Sequence, residues 1–226
     1  MKTAILIDGD FYLRRHSIHF GRERNTDPKK VACDIQAHCM KHIKKDKDQL
    51  YRIFFYDCRP LGKKAHTPIG NKAIDLSKTP LYQFRTELHK ELTRKPSVAL
   101  RYGYLDEKNA FWKLKDKELY NNLIKGKIQR ENLKDEDFVY YTKQKGVDMK
   151  IGLDIATLTH KKLVDRIVLI SGDSDFVPAA KLSRIEGINF VLDPMNHTIR
   201  DDLQEHIDWL HTTLPPKQKC CSSLKI

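Results

Sequence analysis

The apolar positions of this chain fall into two alternating rhythms. Short unbroken apolar runs, such as Ala4-Ile5-Leu6-Ile7 and Ile167-Val168-Leu169-Ile170, read as strands buried on both faces. Between them, apolar residues recur at helical spacing. Strands are predicted over 2–7, 51–56, 97–105, 137–142, 166–170 and 188–192. Helices are predicted over 28–45, 80–94, roughly 116–125, 147–161, 174–186 and 199–211. Thr26-Asp27-Pro28 is a capped helix start, and Gly187 is a helix stop. Residues 57–80 hold proline, glycine and lysine without a period and read as an exposed loop or insertion. Strands alternating with helices imply an α/β fold, with a mostly parallel sheet flanked by helices. One domain over 1–211 is expected, with a basic insertion at roughly 57–136 and a flexible tail over 212–226.

Two apolar runs lead directly into acidic motifs. Ile7-Asp8-Gly9-Asp10 follows the first strand, and Ser171-Gly172-Asp173-Ser174-Asp175-Phe176 follows the run ending at Ile170. Open α/β sheets place their ligand crevice at the carboxyl ends of the strands. Carboxylates converging there repel unless a cation lies between them, which suggests Mg2+ or Mn2+ and phosphate chemistry. On the helix from Val147, Asp148 and Asp154 flank the apolar stripe of Val147, Ile151, Ile155 and Leu158. The two are about 9 Å apart along the axis, so one ion does not take both directly. Asp148, in the first turn, is the better ligand candidate. Capping offers these aspartates a plainer role, since carboxylates suit helix N-termini without any metal.

Ile7-Asp8-Gly9-Asp10, Lys145-Gly146-Val147-Asp148 with Asp154, and Ser171-Gly172-Asp173-Ser174-Asp175-Phe176-Val177-Pro178 together resemble the NYN domain family of LabA-like, PIN-like nucleases. The resemblance implies a PIN-like (Rossmann-type) fold and a metal-dependent ribonuclease that uses Mg2+ or Mn2+. It implies catalytic and metal-binding roles for Asp8, Asp148, Asp173 and Asp175, with Asp10, Asp154 and Ser171 in support. The chain departs from many relatives at Phe11, where they carry asparagine. Phenylalanine cannot ligate a metal or bond to phosphate, so that supporting role is missing or falls to Asp10.

Charge changes the picture in one respect. The net charge is +12, and residues 59–134 alone carry 18 basic and 8 acidic side chains. A polyanion on the basic segment that reaches the acidic motifs through a metal fits this asymmetry, as does a plain lysine-rich surface. Single-stranded RNA is the expected partner. Arg14, Arg15, Lys145 and Lys150 are candidate phosphate contacts, and Trp112 with Phe111 are candidate base-stacking rings. His38 and His42 lie one helical turn apart, but no further zinc-ligand pattern accompanies them. Asp57 and Asp193 also close strands and are expected at the rim of the crevice. Five cysteines, none in a Cys-x-x-Cys pair, suggest reduced thiols and a cytoplasmic protein. No run reaches the ~20 apolar residues of a membrane span, and no signal peptide is expected before the first strand. Oligomeric state is not legible.

Two other functions are compatible with the residues. Asp8-Gly9-Asp10 after a strand fits a haloacid-dehalogenase-type phosphatase, with Asp8 as nucleophile and Asp10 as general acid. The residues that usually follow, and a partner lysine motif, are not found. A non-catalytic RNA-binding module on the same fold is the other.

Overall fold

The computed structural model describes residues 1–214, so the expected tail from Pro215 onward, with Cys220 and Cys221, lies outside the described residues. The chain divides into two compact units. The first takes residues 1–57, 87–102 and those after 146; the second takes 58–86 and 103–146.

The first unit is built on β1 (Lys2–Asp8), α1 (Gly9–Phe20), α2 (Pro28–Met40), β2 (Gln49–Asp57), the later part of α3 (Pro80–Thr93), β3 (Val98–Tyr102), α4 (Val147–His160), β4 (Arg166–Ile170), α5 (Val177–Ile185), β5 (Asn189–Asp193), the short α6 (Asp201–Gln204) and β6 (Trp209–Leu210). Six strands form one wholly parallel sheet in the order β6-β5-β4-β1-β2-β3. The central strands are buried on both faces: Ala4 through Ile7, and Ile167 through Ile170, are at or within one per cent of full burial. That is why they read as unbroken apolar runs.

Helices cover both faces. Asp57 on β2 accepts a hydrogen bond from His89 of α3, 2.8 Å away, on one face. Tyr56, pointing the other way, donates to Asp154 of α4 at 2.8 Å. The strand order reverses between β1 and β4, and in sheets of this kind the crevice opens at that point, beyond the carboxyl ends of the two strands.

The periodic segments appear where the sequence puts them, with informative exceptions. Helix α1 carries no clear apolar stripe, because a buried histidine completes its inner face. His16 is enclosed between Asp34 at 2.9 Å and Asn25 at 3.0 Å, while Ile18 and Phe20 face outward. The expected helix over 199–211 is only one turn long. The chain then extends so that Trp209 and Leu210 pair with Val191 and Leu192, covering what would be an open sheet edge.

The second unit carries +7 of the net charge, from 16 basic and 9 acidic residues. It is not the unstructured loop expected over 57–80. Lys64–His66 pairs antiparallel with Ala73–Asp75, and Phe111–Leu114 with Phe138–Tyr141. A helix spans Lys117–Ile124. Asp135 holds the first hairpin by accepting from the backbone N–H groups of Ile69 and Gly70.

Gly9 explains the glycine of the first motif. A Cβ there would lie 2.5 Å from the Tyr56 carbonyl oxygen and 2.8 Å from the Phe55 ring, so α1 starts hard against β2. Gly9→Ala is expected to destabilise the protein by about 1–3 kcal/mol, as overpacking does. Gly152→Ala on α4, where a Cβ meets nothing within 4 Å, is expected to add about 0.5–1 kcal/mol. Urea denaturation midpoints compare the two.

Candidate active site

Asp8 is the last residue of β1 and the N-cap of α1, its Oδ1 accepting from the Phe11 N–H at 3.1 Å. Asp173 caps the single 3-10 turn that precedes α5, accepting from the Asp175 N–H at 3.0 Å. Its own N–H donates to Ser171 Oγ, which is buried beneath the turn. Capping is therefore real at both positions. It also orients the two loops that leave β1 and β4, the strands flanking the point of reversal.

The charges of these loops meet that of α4. Burial first, then the charges of Asp10 and Asp148, raise the pKa of Asp8 from 3.8 to about 6, against the opposing pull of the Phe11 N–H and Arg14. Asp148 in the first turn of α4 is also raised, by burial and by Asp173 and Asp175. Asp148 thus stands within electrostatic reach of all three others. With Asp175 it lines a groove of about 470 Å³, walled by Met149, Phe176 and Leu182. A set of hard oxygen donors that repel one another suits a divalent cation of the Mg2+ or Mn2+ kind.

The supporting candidates separate. Asp10 forms an ion pair with Arg14 at 3.3 Å, one turn along α1. Asp154 is held by Tyr56 and by Arg101 at 3.1 Å, which makes it a bridge from α4 to β2 and β3. Arg15 is turned away, donating to the Met195 carbonyl oxygen at 2.7 Å. Lys145 belongs to the second unit and pairs with Asp106 at 2.6 Å. Lys150 is exposed on α4.

The expected ring pair also divides. Trp112 donates its indole N–H to the His66 carbonyl oxygen, anchoring one hairpin to the other. Phe111 is exposed opposite Tyr141, and Lys113 lies over the Tyr141 ring at 3.8 Å.

Phe11 packs against the second acidic loop. A Cβ on Gly172 would lie 2.8 Å from the Phe11 ring and 2.9 Å from His197. The acidic loop is thus wedged between two rings, and a side chain at 172 has no room. Nothing in the sequence around His197 signalled that it stands beside this loop.

Asp57 and Asp193 are not rim residues. Both are essentially fully buried, Asp57 against His89 and Asp193 against His38 and His42.

The model of the NYN domain family matches residues 74–210, more than half of the chain, and takes in both the Asp148 and the Asp173 motifs. The chain belongs to the NYN domain family, with a PIN-like α/β fold. Such domains are in general nuclease-like hydrolases that use divalent metals and act on RNA. Asp8 lies N-terminal to the matched span, but its strand is central to the same sheet. Among solved structures the chain is similar to a protein of unknown function from Vibrio parahaemolyticus. The identity is 14%, over 92% of this chain and 90% of that one, with a TM-score of 0.44. No curated protein matches. Among the described residues no helix is long and apolar enough to cross a membrane.

The raised pKa of Asp8 has a definite sign. Between about pH 4 and 6 the native state holds more protons than the unfolded chain, so stability falls as pH rises through that window. Above it the full cost of the charge is present. Asparagine caps a helix as well as aspartate does. Asp8→Asn in metal-free protein is therefore expected to add about 1–3 kcal/mol at pH 7.5, the gain shrinking towards pH 4. Thermal unfolding in chelator at the two pH values measures it.

Proposed function

We propose that this protein is a metal-dependent ribonuclease that hydrolyses phosphodiester bonds of single-stranded RNA, with Asp8, Asp148, Asp173 and Asp175 holding Mg2+ or Mn2+. The observation that carries this reading is electrostatic. Carboxylates from three separate chain segments lie within electrostatic reach of one another at the carboxyl end of a parallel sheet, and burial together with their mutual repulsion raises the pKa of Asp8 and of Asp148. When bound, a divalent cation supplies an acidified water and neutralises charge on the phosphoryl group under attack.

The chain's own residues have narrower tasks. Asp8 and Asp173 are held by their capping bonds, so their carboxylates enter the site at fixed angles. Ser171 fixes the turn that carries Asp173. Arg14 and Lys150 are exposed cations on α1 and α4, suited to phosphate oxygens flanking the cleaved bond. In the second unit, Phe111, Tyr141 and Lys113 form an outward patch of rings and charge of the kind on which unpaired bases stack. A cytoplasmic setting suits an RNA substrate, and Cys33, Cys39 and Cys58 are free thiols.

End-labelled single-stranded RNA, incubated with Mg2+, Mn2+ or EDTA, tests the proposal. Cleavage is expected with metal and not with EDTA, and Asp173→Asn is expected to lower it by at least about 100-fold, since it removes a ligand. Salt-sensitive RNA binding without turnover in any metal would instead mark a binding module.

Asp10→Asn separates the nuclease from the phosphatase reading. Because Asp10 pairs with Arg14, its loss is expected to change RNA cleavage by less than about tenfold, as for a screened surface pair. A dehalogenase-type phosphatase would lose its general acid and with it nearly all turnover of a phosphomonoester.

A further inference from the structure

We propose a second metal site, distinct from the acidic cluster: a buried Zn2+ held by His38, His42 and Asp193. His38 Nε2 lies 2.9 Å and His42 Nε2 2.8 Å from the same oxygen of Asp193, and the three side chains are at most one per cent exposed. Among the described residues this is the set of three potential ligand atoms lying within 4.8 Å of one another. Two imidazoles one turn apart at the end of α2 and a carboxylate from the end of β5 converge on a single point. A mixed nitrogen and oxygen donor set of this kind selects zinc over magnesium.

The surroundings are those of a built site. Tyr12 Oη lies 3.3 Å from His38 Nδ1, which leaves Nε2 facing Asp193. The Met195 N–H donates to the other oxygen of Asp193 at 2.8 Å. Metal-ligating histidines and carboxylates characteristically have such outer partners, which fix tautomer and orientation.

Charge favours an ion as well. Imidazoles ligate zinc in their neutral form, so as a ligand set the two histidines and one carboxylate would bring a net negative charge to the ion in a buried place. Among the described residues neither lysine nor arginine forms an ion pair with Asp193. A zinc ion 2.0–2.1 Å from each ligand atom would set neighbouring ligand atoms a little over 3 Å apart, roughly a few tenths of an ångström beyond the present spacing.

The site would also act at a distance. It would clamp α2 to the end of β5, where the next turn begins. In that turn the Met195 carbonyl oxygen binds Arg15 and His19, and His197 lies against Gly172 of the acidic loop. The zinc would therefore be structural and would set the position of a turn that borders the candidate active site.

The test is metal analysis of the untagged protein, refolded with Zn2+ and desalted, together with the visible spectrum of its Co2+ form. About one zinc per chain and the intense d–d bands of low-symmetry Co2+ are expected. His42→Gln keeps an N–H for Asp193 but cannot ligate zinc, and is expected to lower bound zinc at least tenfold. Wild-type protein that is folded by circular dichroism yet binds no zinc, with a Co2+ spectrum like that of the free ion, would overturn the proposal and leave a hydrogen-bonded His–Asp–His cluster. Equal zinc in folded His42→Gln would overturn it too. Should His42→Gln fail to fold, the wild-type stoichiometry and Co2+ spectrum still decide.

Discussion

A carboxylate at the end of a buried strand must find something to hold its charge, and that constraint organises this molecule. Three strands of the sheet, β1, β2 and β5, finish in aspartate. Asp57 meets His89 of α3. Asp193 meets two histidines at the end of α2, and their hydrogen bonds and charge pull its pKa far below the ordinary range despite its burial. Asp8 receives one backbone N–H and a weak pull from Arg14, and beyond these it faces the acids Asp10 and Asp148. The same structural position is therefore met by histidine at two strands and left incomplete, beside other acids, at the third. The incomplete one sits where the strand order reverses, which is where this sheet type offers a crevice.

The rest of the fold serves that position. The buried run of β1 is locked between β2 and β4, so the angle at which Asp8 leaves the sheet is set by a parallel ladder on each side. Gly9 lets α1 begin without a detour, and the capping bond to Phe11 turns the chain at once. On the opposing side, Asp154 fastens α4 to the sheet through Tyr56 and Arg101. That bridge, a turn and a half from Asp148, fixes the helix whose first turn carries the acidic residue.

Most of this frame was legible in the sequence because parallel strands buried on both faces leave unbroken apolar runs, and because Asp-Gly, Gly-Val-Asp and Ser-Gly-Asp-Ser-Asp follow or flank them. What was not legible depended on partners far away in the chain. Helix α1 hides its inner face behind His16, whose burial makes sense only with Asp34 and Asn25 beside it. His38 and His42 gain meaning only when Asp193 arrives about 150 residues later. In the second unit the strand predicted over 137–142 is present, but Lys64–His66, Ala73–Asp75 and Phe111–Leu114 are too short for their alternation to register. The last strand is set by the edge of β5 and not by its own two residues.

The register of β1 also bears on how the protein is made. Its β4 partner begins at Arg166, which pairs with Thr3, so about 160 residues separate the two sides of one ladder. At ribosomal rates of roughly 5–20 residues per second, β1 waits on the order of ten to thirty seconds for that neighbour. During this interval an apolar strand has β2 on one edge and nothing on the other. The strand that anchors the candidate active site thus stays open on one edge until most of the described chain has been made. The nascent chain would carry that unpaired apolar edge, of the kind that invites aggregation, until just before the acidic loop after β4 is made.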